Sequence, residues 1–271
     1  MTISHFRSPE QLLAELAISS PSDIDIEAIT QYCKATIVYE PMEGCEARIL
    51  GVGDRAVITV SQHSSRERQR FSAGHELGHW MHDRGRASFA CDDTVFHREW
   101  WKRNPESRAN EYSADLLLPL SMFKPRARDR ELTFATTREL AAAFETSLTA
   151  TAIRLVEHGS FPAMVVCNSP RGRLWFKRGP TIPETLWPTD RAGPSTVAYD
   201  ILRGDSSPGK PVDVKASAWF DQDDADSYWI REDAVRVAPD TVLSLIWWAD
   251  EQQLLDLESD DPDTSLDLRF K

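Results

Sequence analysis

Residues 75–79 read His-Glu-Leu-Gly-His. On a helix, side chains four residues apart lie nearly above one another. His75 and His79 would therefore bring two imidazoles to one point. Zn²⁺ takes neutral imidazole nitrogens readily. Glu76 directly follows the first histidine, so its carboxylate falls beside such an ion rather than on it. There it can take a proton from a water at the metal, the general-base role of an H-E-x-x-H string. The flanking residues carry helix signals. Ser64 and Glu67 are spaced as a capping box, Phe71, Leu77, Trp80 and Met81 form an apolar stripe, and Gly85 stands where a C-cap glycine is usual. Taken alone, the same five residues also suit two surface histidines on an amphipathic helix. A third ligand separates the two readings.

Catalytic zinc commonly keeps three protein ligands and one open position. The best source of the third is the stretch Asn104 to Pro119. Asn104 is a favourable N-cap, Pro105 suits the first helical position, and Pro119 predicts a stop at Leu118. Glu106 then lies in the first turn, with Asn110 one turn on along the same face. A carboxylate ligand with a polar neighbour at that spacing is how metal sites are supported from behind. Without the upstream histidines, Glu106 would be an ordinary acid at a helix start. Cys91 is the alternative third ligand, in a poorer helical setting.

With both segments in view, the chain resembles the ImmA/IrrE zinc metallopeptidases. Arg70-Phe71-Ser72-Ala73-Gly74-His75-Glu76-Leu77-Gly78-His79 resembles that family's R-F-[ST]-x-x-H-E-x-x-H core. Glu106-x-x-Ala109-Asn110-x-Tyr112-Ser113-Ala114-x-Leu116-Leu117-x-Pro119 resembles its E-x-x-A-N-x-F-A-x-x-L-L-x-P signature. Tyr112 and Ser113 depart from the commoner Phe and Ala, and the ligand set is untouched. The resemblance is good over residues 8–125, moderate over 126–178 and poor beyond. It implies His75, His79 and Glu106 as metal ligands. It also implies a cytoplasmic protease that cuts a helix-turn-helix repressor, switching on stress-response or mobile-element genes.

The formal net charge of −12 argues against a surface that tracks nucleic-acid phosphates. The basic runs at 66–70 and 124–128 read as solvated faces, although Arg68 or Arg70 could hold a substrate carbonyl or carboxylate. No apolar run approaches the roughly 18 residues of a spanning helix. Residues 1–10 show no signal-peptide pattern. Cys33, Cys45, Cys91 and Cys167 form no C-x-x-C pair and read as buried thiols.

The expected fold class is α+β. A zincin-like metallopeptidase domain (1–125), with a small sheet and the H-E-x-x-H helix, precedes a helix-turn-helix-like bundle (126–160). A C-terminal α/β regulatory, sensor-like domain (161–257) and a flexible acidic tail (258–271) follow. Helices are predicted over 8–17 and over 24–33, the second capped by Ser22 or Asp23, and strands over 36–39, 47–51 and 56–61. The strand 56–60 runs into the metal helix and could align a substrate by backbone pairing if it is an edge. In 131–158, Thr149, Thr151 and Arg154 of the second helix carry little positive charge, which favours packing over DNA reading. Strands are predicted at 163–167, 173–177, 197–202, 211–220 and 228–237.

These readings converge on a zinc-dependent endopeptidase, with Mn²⁺ as a second plausible metal. Glu76 is the base, and His82 or Tyr112 is the candidate oxyanion donor. The expected partner is a protein substrate, with neither nucleic acid nor membrane bound directly. The rivals are a module that sequesters a repressor or toxin partner without cutting it, and a zinc hydrolase of a non-peptide amide.

Overall fold

The computed structural model describes residues 6–83, 89–90, 104–250 and 252–254. Gly85, Cys91 and the acidic tail lie outside the described residues. The fold is mixed α+β. It divides into two compact units, Met1–Arg126 with Leu140–Ala150, and Ala127–Glu139 with Thr151–Lys271. The span 126–160 contributes to both.

The first unit opens with α1 (Pro9–Glu15), where Ser8 and Gln11 form a capping box. A 3-10 turn at Pro21–Asp23 then delays α2 (Ile26–Tyr32), so its cap is Asp25 rather than Ser22 or Asp23. The sheet comprises β1 (Ala35–Glu40), β2 (Ala47–Val52), β3 (Arg55–Ser61) and β4 (Phe89–Ala90), in the order β1-β3-β2-β4. Ala56, Ile58 and Val60 alternate into the core, the period-2 signature of a strand with one buried face. Gly53, at φ +63°, makes the turn into β3. Since β3 pairs in parallel with β1 and antiparallel with β2, both of its hydrogen-bonding sides are taken. It is not an edge, and the expected pairing of substrate to residues 56–60 is ruled out.

The long helix α3 (Arg66–Asp83) follows β3 directly. Its cap is Ser65, whose Oγ accepts from Arg68 N–H at 3.3 Å. The expected cap, Ser64, instead donates to Glu46. Trp80 seats the helix on the sheet. Its indole donates to the Cys33 carbonyl at 2.9 Å, and its ring lies over Gly51, where a Cβ would come within 2.7 Å. α4 (Pro105–Leu117) starts from Asn104 as expected, and its Oδ1 accepts from Glu106 N–H at 3.1 Å. A helix not foreseen from the sequence, α5 (Leu120–Ala127), follows Pro119.

The second unit is built on a five-stranded antiparallel sheet ordered β6-β5-β9-β8-β7. Its strands are β5 (Ala163–Ser169), β6 (Gly172–Arg178), β7 (Val212–Lys215), β8 (Trp229–Ala238) and β9 (Thr241–Trp247). Two expectations fail here. Residues 197–202 are not a strand but a helix, α8 (Val197–Arg203), capped by Thr196 and closed by left-handed Gly204. The predicted strand 211–220 stops at Lys215 and turns into a 3-10 segment at Ala216–Ala218. β9 was not among the expected strands. Two helices, α6 (Phe134–Phe144) and α7 (Leu148–His158), run through the shared span. Thr151 and Arg154 of α7 are buried, as a packing role requires.

One face of this sheet carries Met164, Val166, Val242, Ile246, Ile230 and Ala234 into a core with α8 and Trp219. Among them sits Glu232, with no exposed surface. Its carboxylate accepts from Val197 and Ala198 N–H, both at 2.9 Å, and from the Trp219 indole at 3.2 Å. Burial nonetheless pushes its pKa up to about 7, because desolvation outweighs these donors. An acid raised in the folded state binds protons more tightly there than in the unfolded chain. Its contribution to stability is therefore present at low pH and is lost as pH rises from about 4.5 to about 7. Glu232→Gln has no charge to bury. The variant's Tm should gain on the wild type as pH is raised from 5 to 7, as read by thermal unfolding at both pH values. A Tm difference that does not change with pH would contradict the assignment.

Candidate metal centre

The site is made by one contact between helices, α3 on α4. Gly74 and Gly78, one turn apart on α3, face Ser113 and Ala109, one turn apart on α4. A Cβ on Gly78 would stand 3.0 Å from the Ala109 Cα and 3.0 Å from the Tyr112 Cβ, and one on Gly74 would stand 2.6 Å from the Ser113 Oγ. Only glycine lets the two backbones approach this closely. Ser113 fastens the contact by donating its hydroxyl to the Phe71 carbonyl at 2.8 Å. The departure from the commoner alanine thus adds a bond between the helices.

The close approach carries Glu106 to the histidines. His75 Nε2 lies 3.2 Å from one Glu106 oxygen, and His79 Nε2 lies 3.3 Å from the other. The two Nε2 atoms are 3.1 Å apart. One ligand atom from each of the three residues falls within a 4.8 Å span, so the group could hold a metal ion. Asn110 Oδ1 lies 2.9 Å from His75 Nδ1. An amide oxygen can only accept, so Nδ1 carries a proton, and Nε2 is the nitrogen of His75 that can turn a lone pair to a metal once its own proton is released. Hydrogen bonding from His75, and then from His79, holds the Glu106 carboxyl well below the usual carboxylate range despite its desolvation. Two imidazole Nε2 atoms and one carboxylate are a donor set suited to Zn²⁺ or Mn²⁺. Glu76 is fully buried on the same helix, next to His75.

Other residues singled out from sequence fall elsewhere. Arg70 is nine residues from His79, about two and a half turns, so it projects from the opposite side of α3. It is 8% exposed, and its guanidinium lies 3.4 Å from Glu145, which Arg66 also meets at 2.9 Å. That placement replaces the expected contact with substrate. The Tyr112 hydroxyl is committed as donor to the Arg7 carbonyl at 3.0 Å, and burial holds the phenol far above its usual range. It is not an oxyanion donor. His82 stands between Phe6 and Tyr112, with ring centres 4.9 and 6.0 Å away. The sequence reading missed the glycine seam and Glu145. The seam was visible as two small residues at helical spacing in each segment, whereas nothing local marks Glu145.

No curated protein matches the chain in sequence. A solved structure described as a Mycobacterium tuberculosis transcriptional regulator is similar, with 15% identity and a TM-score of 0.57, over 88% of this chain and 73% of that one. At that identity the likeness is one of fold. Residues 31–156 match the Peptidase M78 family model, described as the IrrE N-terminal-like domain. The matched segment runs from β1 through both helices of the candidate metal centre, α5 and α6 into α7, and over those residues the chain is similar to the IrrE N-terminal-like domain of that peptidase family.

Proposed function

We propose that the chain is a zinc-dependent endopeptidase, with Mn²⁺ as the alternative metal. The observation that carries this reading is the convergence of His75, His79 and Glu106 with buried Glu76 adjoining them, inside a segment that matches a peptidase family model. His75, His79 and Glu106 hold the ion. When bound, it supplies Lewis-acid polarisation of a carbonyl and acidifies water. Asn110 fixes the tautomer and orientation of His75. Glu76 takes the proton from the attacking water and returns it to the leaving amine. His82 remains the candidate for contact with the developing oxyanion.

The substrate we infer is a cytoplasmic helix-turn-helix repressor, cut once in a segment that can be drawn out as a strand. A net charge of −12 favours encounter with a basic DNA-binding protein. Such a segment cannot pair with β3. The outer strands of the first sheet, β1 and β4, are left for backbone pairing. The second unit, with its own sheet and core, acts as a regulatory domain, a sensor or brake that shifts the population of the cutting-competent state. Among the described residues no helix is long and apolar enough to cross a membrane.

The experiment is incubation of the zinc-loaded chain with a purified basic helix-turn-helix repressor from the same organism, read by mass spectrometry. One internal cut is expected. Its kcat/KM should fall as salt is raised while kcat holds, because screening weakens encounter and not chemistry. Tight binding without cleavage, with metal present, would favour sequestration instead.

A further inference from the structure

We propose that Phe6 occupies, in its own chain, a side-chain subsite beside the metal helix that takes a bulky aromatic residue of a peptide substrate. This deepens the peptidase reading above and rests on it. Every residue concerned lies in the first unit.

His75, His79 and His82 follow one another at four and three residues along α3, so they share one face of the helix. A three-residue step advances about 4.5 Å along the axis, which places His82 nearly one turn beyond His79. The surroundings there are aromatic. The Phe6 ring rests on the His82 imidazole, 4.9 Å from centre to centre and tilted by 37°. Tyr112 of α4 stands edge-on to the same imidazole at 6.0 Å.

The chain that delivers Phe6 is held as a bound peptide would be. Residues 6–8 form neither helix nor strand. The Arg7 carbonyl accepts from the Tyr112 hydroxyl at 3.0 Å. The Arg7 side chain meets Glu15 at 2.9 Å and lies 6.0 Å over the Tyr32 ring, whose own hydroxyl donates to Glu15 at 3.0 Å. One backbone carbonyl and one apolar side chain thus engage α4 and α3 side by side. Peptides are recognised in the same way, main-chain hydrogen bonds giving affinity and side-chain pockets giving specificity.

Phe6 is seated loosely. It is 41% exposed, against 0% for Leu12 and 4% for Leu13 of α1 just after it. α1 is held by those leucines, and Arg7 by Glu15 and Tyr112, so the ring can leave while both stay in place. A tethered occupant competes with an incoming peptide at an effective concentration in the millimolar range. It lowers the peptide's apparent affinity by the fraction of molecules in which the subsite is still filled. An aromatic side chain from the substrate replaces the contact that Phe6 gives up, and a small side chain does not. The subsite therefore selects for aromatic residues.

The test uses the whole 271-residue chain, loaded with zinc, and two capped dipeptides, acetyl-Phe-Arg-amide and acetyl-Ala-Arg-amide. Binding is read by isothermal titration and by the NMR shifts of the His82 ring protons, so no cleavage is required. Phe6 precedes the first helix and sits at the surface, so Phe6→Ala keeps the fold. That variant should bind the phenylalanine peptide about three- to tenfold more tightly than wild type, the scale of one aromatic contact, with the His82 signals displaced. It should gain nothing for the alanine peptide. Phe6→Trp, which refills the subsite, should behave as wild type. Equal affinity of wild type and Phe6→Ala for acetyl-Phe-Arg-amide, no binding by either at millimolar peptide, or binding that leaves the His82 signals unmoved would overturn the proposal. Binding as expected, in a protein that cuts no repressor, would support the subsite and count against the peptidase reading alone.

Discussion

Glu76→Gln should reduce peptide cleavage by about 10² to 10⁴, the range that general-base catalysis supplies, while metal content and folding stay near wild type. The two effects separate because of where Glu76 stands. It follows His75 on α3 and is fully buried, yet the three groups that could hold a metal are His75, His79 and Glu106. Glutamine keeps the shape of the side chain and loses only its capacity to accept a proton. Progress curves on the repressor substrate, with elemental analysis of the same sample, measure both quantities. An unchanged cleavage rate would remove the base assignment, and lost metal would place Glu76 among the ligands.

The second large effect is expected at a residue with no chemistry. Gly78→Val should weaken metal binding by about 100-fold or more, the scale on which a misplacement near 1 Å acts at a preorganised site. A Cβ alone at Gly78 would press on the Ala109 Cα at 3.0 Å. The branched methyls of valine must push α4 away, taking Glu106 with it. Gly78→Ala is the graded control. Its helix propensity gains about 1 kcal/mol and overpacking costs about 1–3 kcal/mol, so stability should fall by no more than about 2 kcal/mol while metal affinity falls. A Gly78→Val protein with wild-type metal affinity would show that the spacing of α3 and α4 does not set the site.

The candidate metal site was legible in the sequence because its parts are local. The i, i+4 spacing of His75 and His79, the cap and proline at Asn104 and Pro105, and the helical step from Glu106 to Asn110 each follow from one segment's periodicity. Only the meeting of the two segments had to be supplied by the fold. What failed depended on partners remote in sequence. Val197 to Leu202 is rich in apolar and aromatic residues and reads as a strand. It folds as a helix because Thr196 and Gly204 close its ends and Glu232, more than 30 residues later, receives its first N–H groups. Arg70 was misread for the same reason, since Glu145 is its counterion and lies 75 residues away. The substrate-pairing role of 56–60 could not be judged from sequence at all, because alternation shows which face of a strand is buried and not which strands flank it. Tyr112 had the correct segment and helix, but its hydroxyl was already taken by the Arg7 carbonyl.

Metal binding underlies every role assigned to His75, Glu76, His79 and Glu106, and elemental analysis of the 271-residue chain refolded with excess zinc and then desalted measures it most directly. About one ion per chain is expected, lost in His75→Ala and Glu106→Ala. In Asn110→Ala it should be retained with affinity lowered about tenfold to a hundredfold, because that residue only orients a ligand. A wild-type protein that is folded and carries no transition metal after this treatment would contradict the assignment of His75, His79 and Glu106, and with it the peptidase.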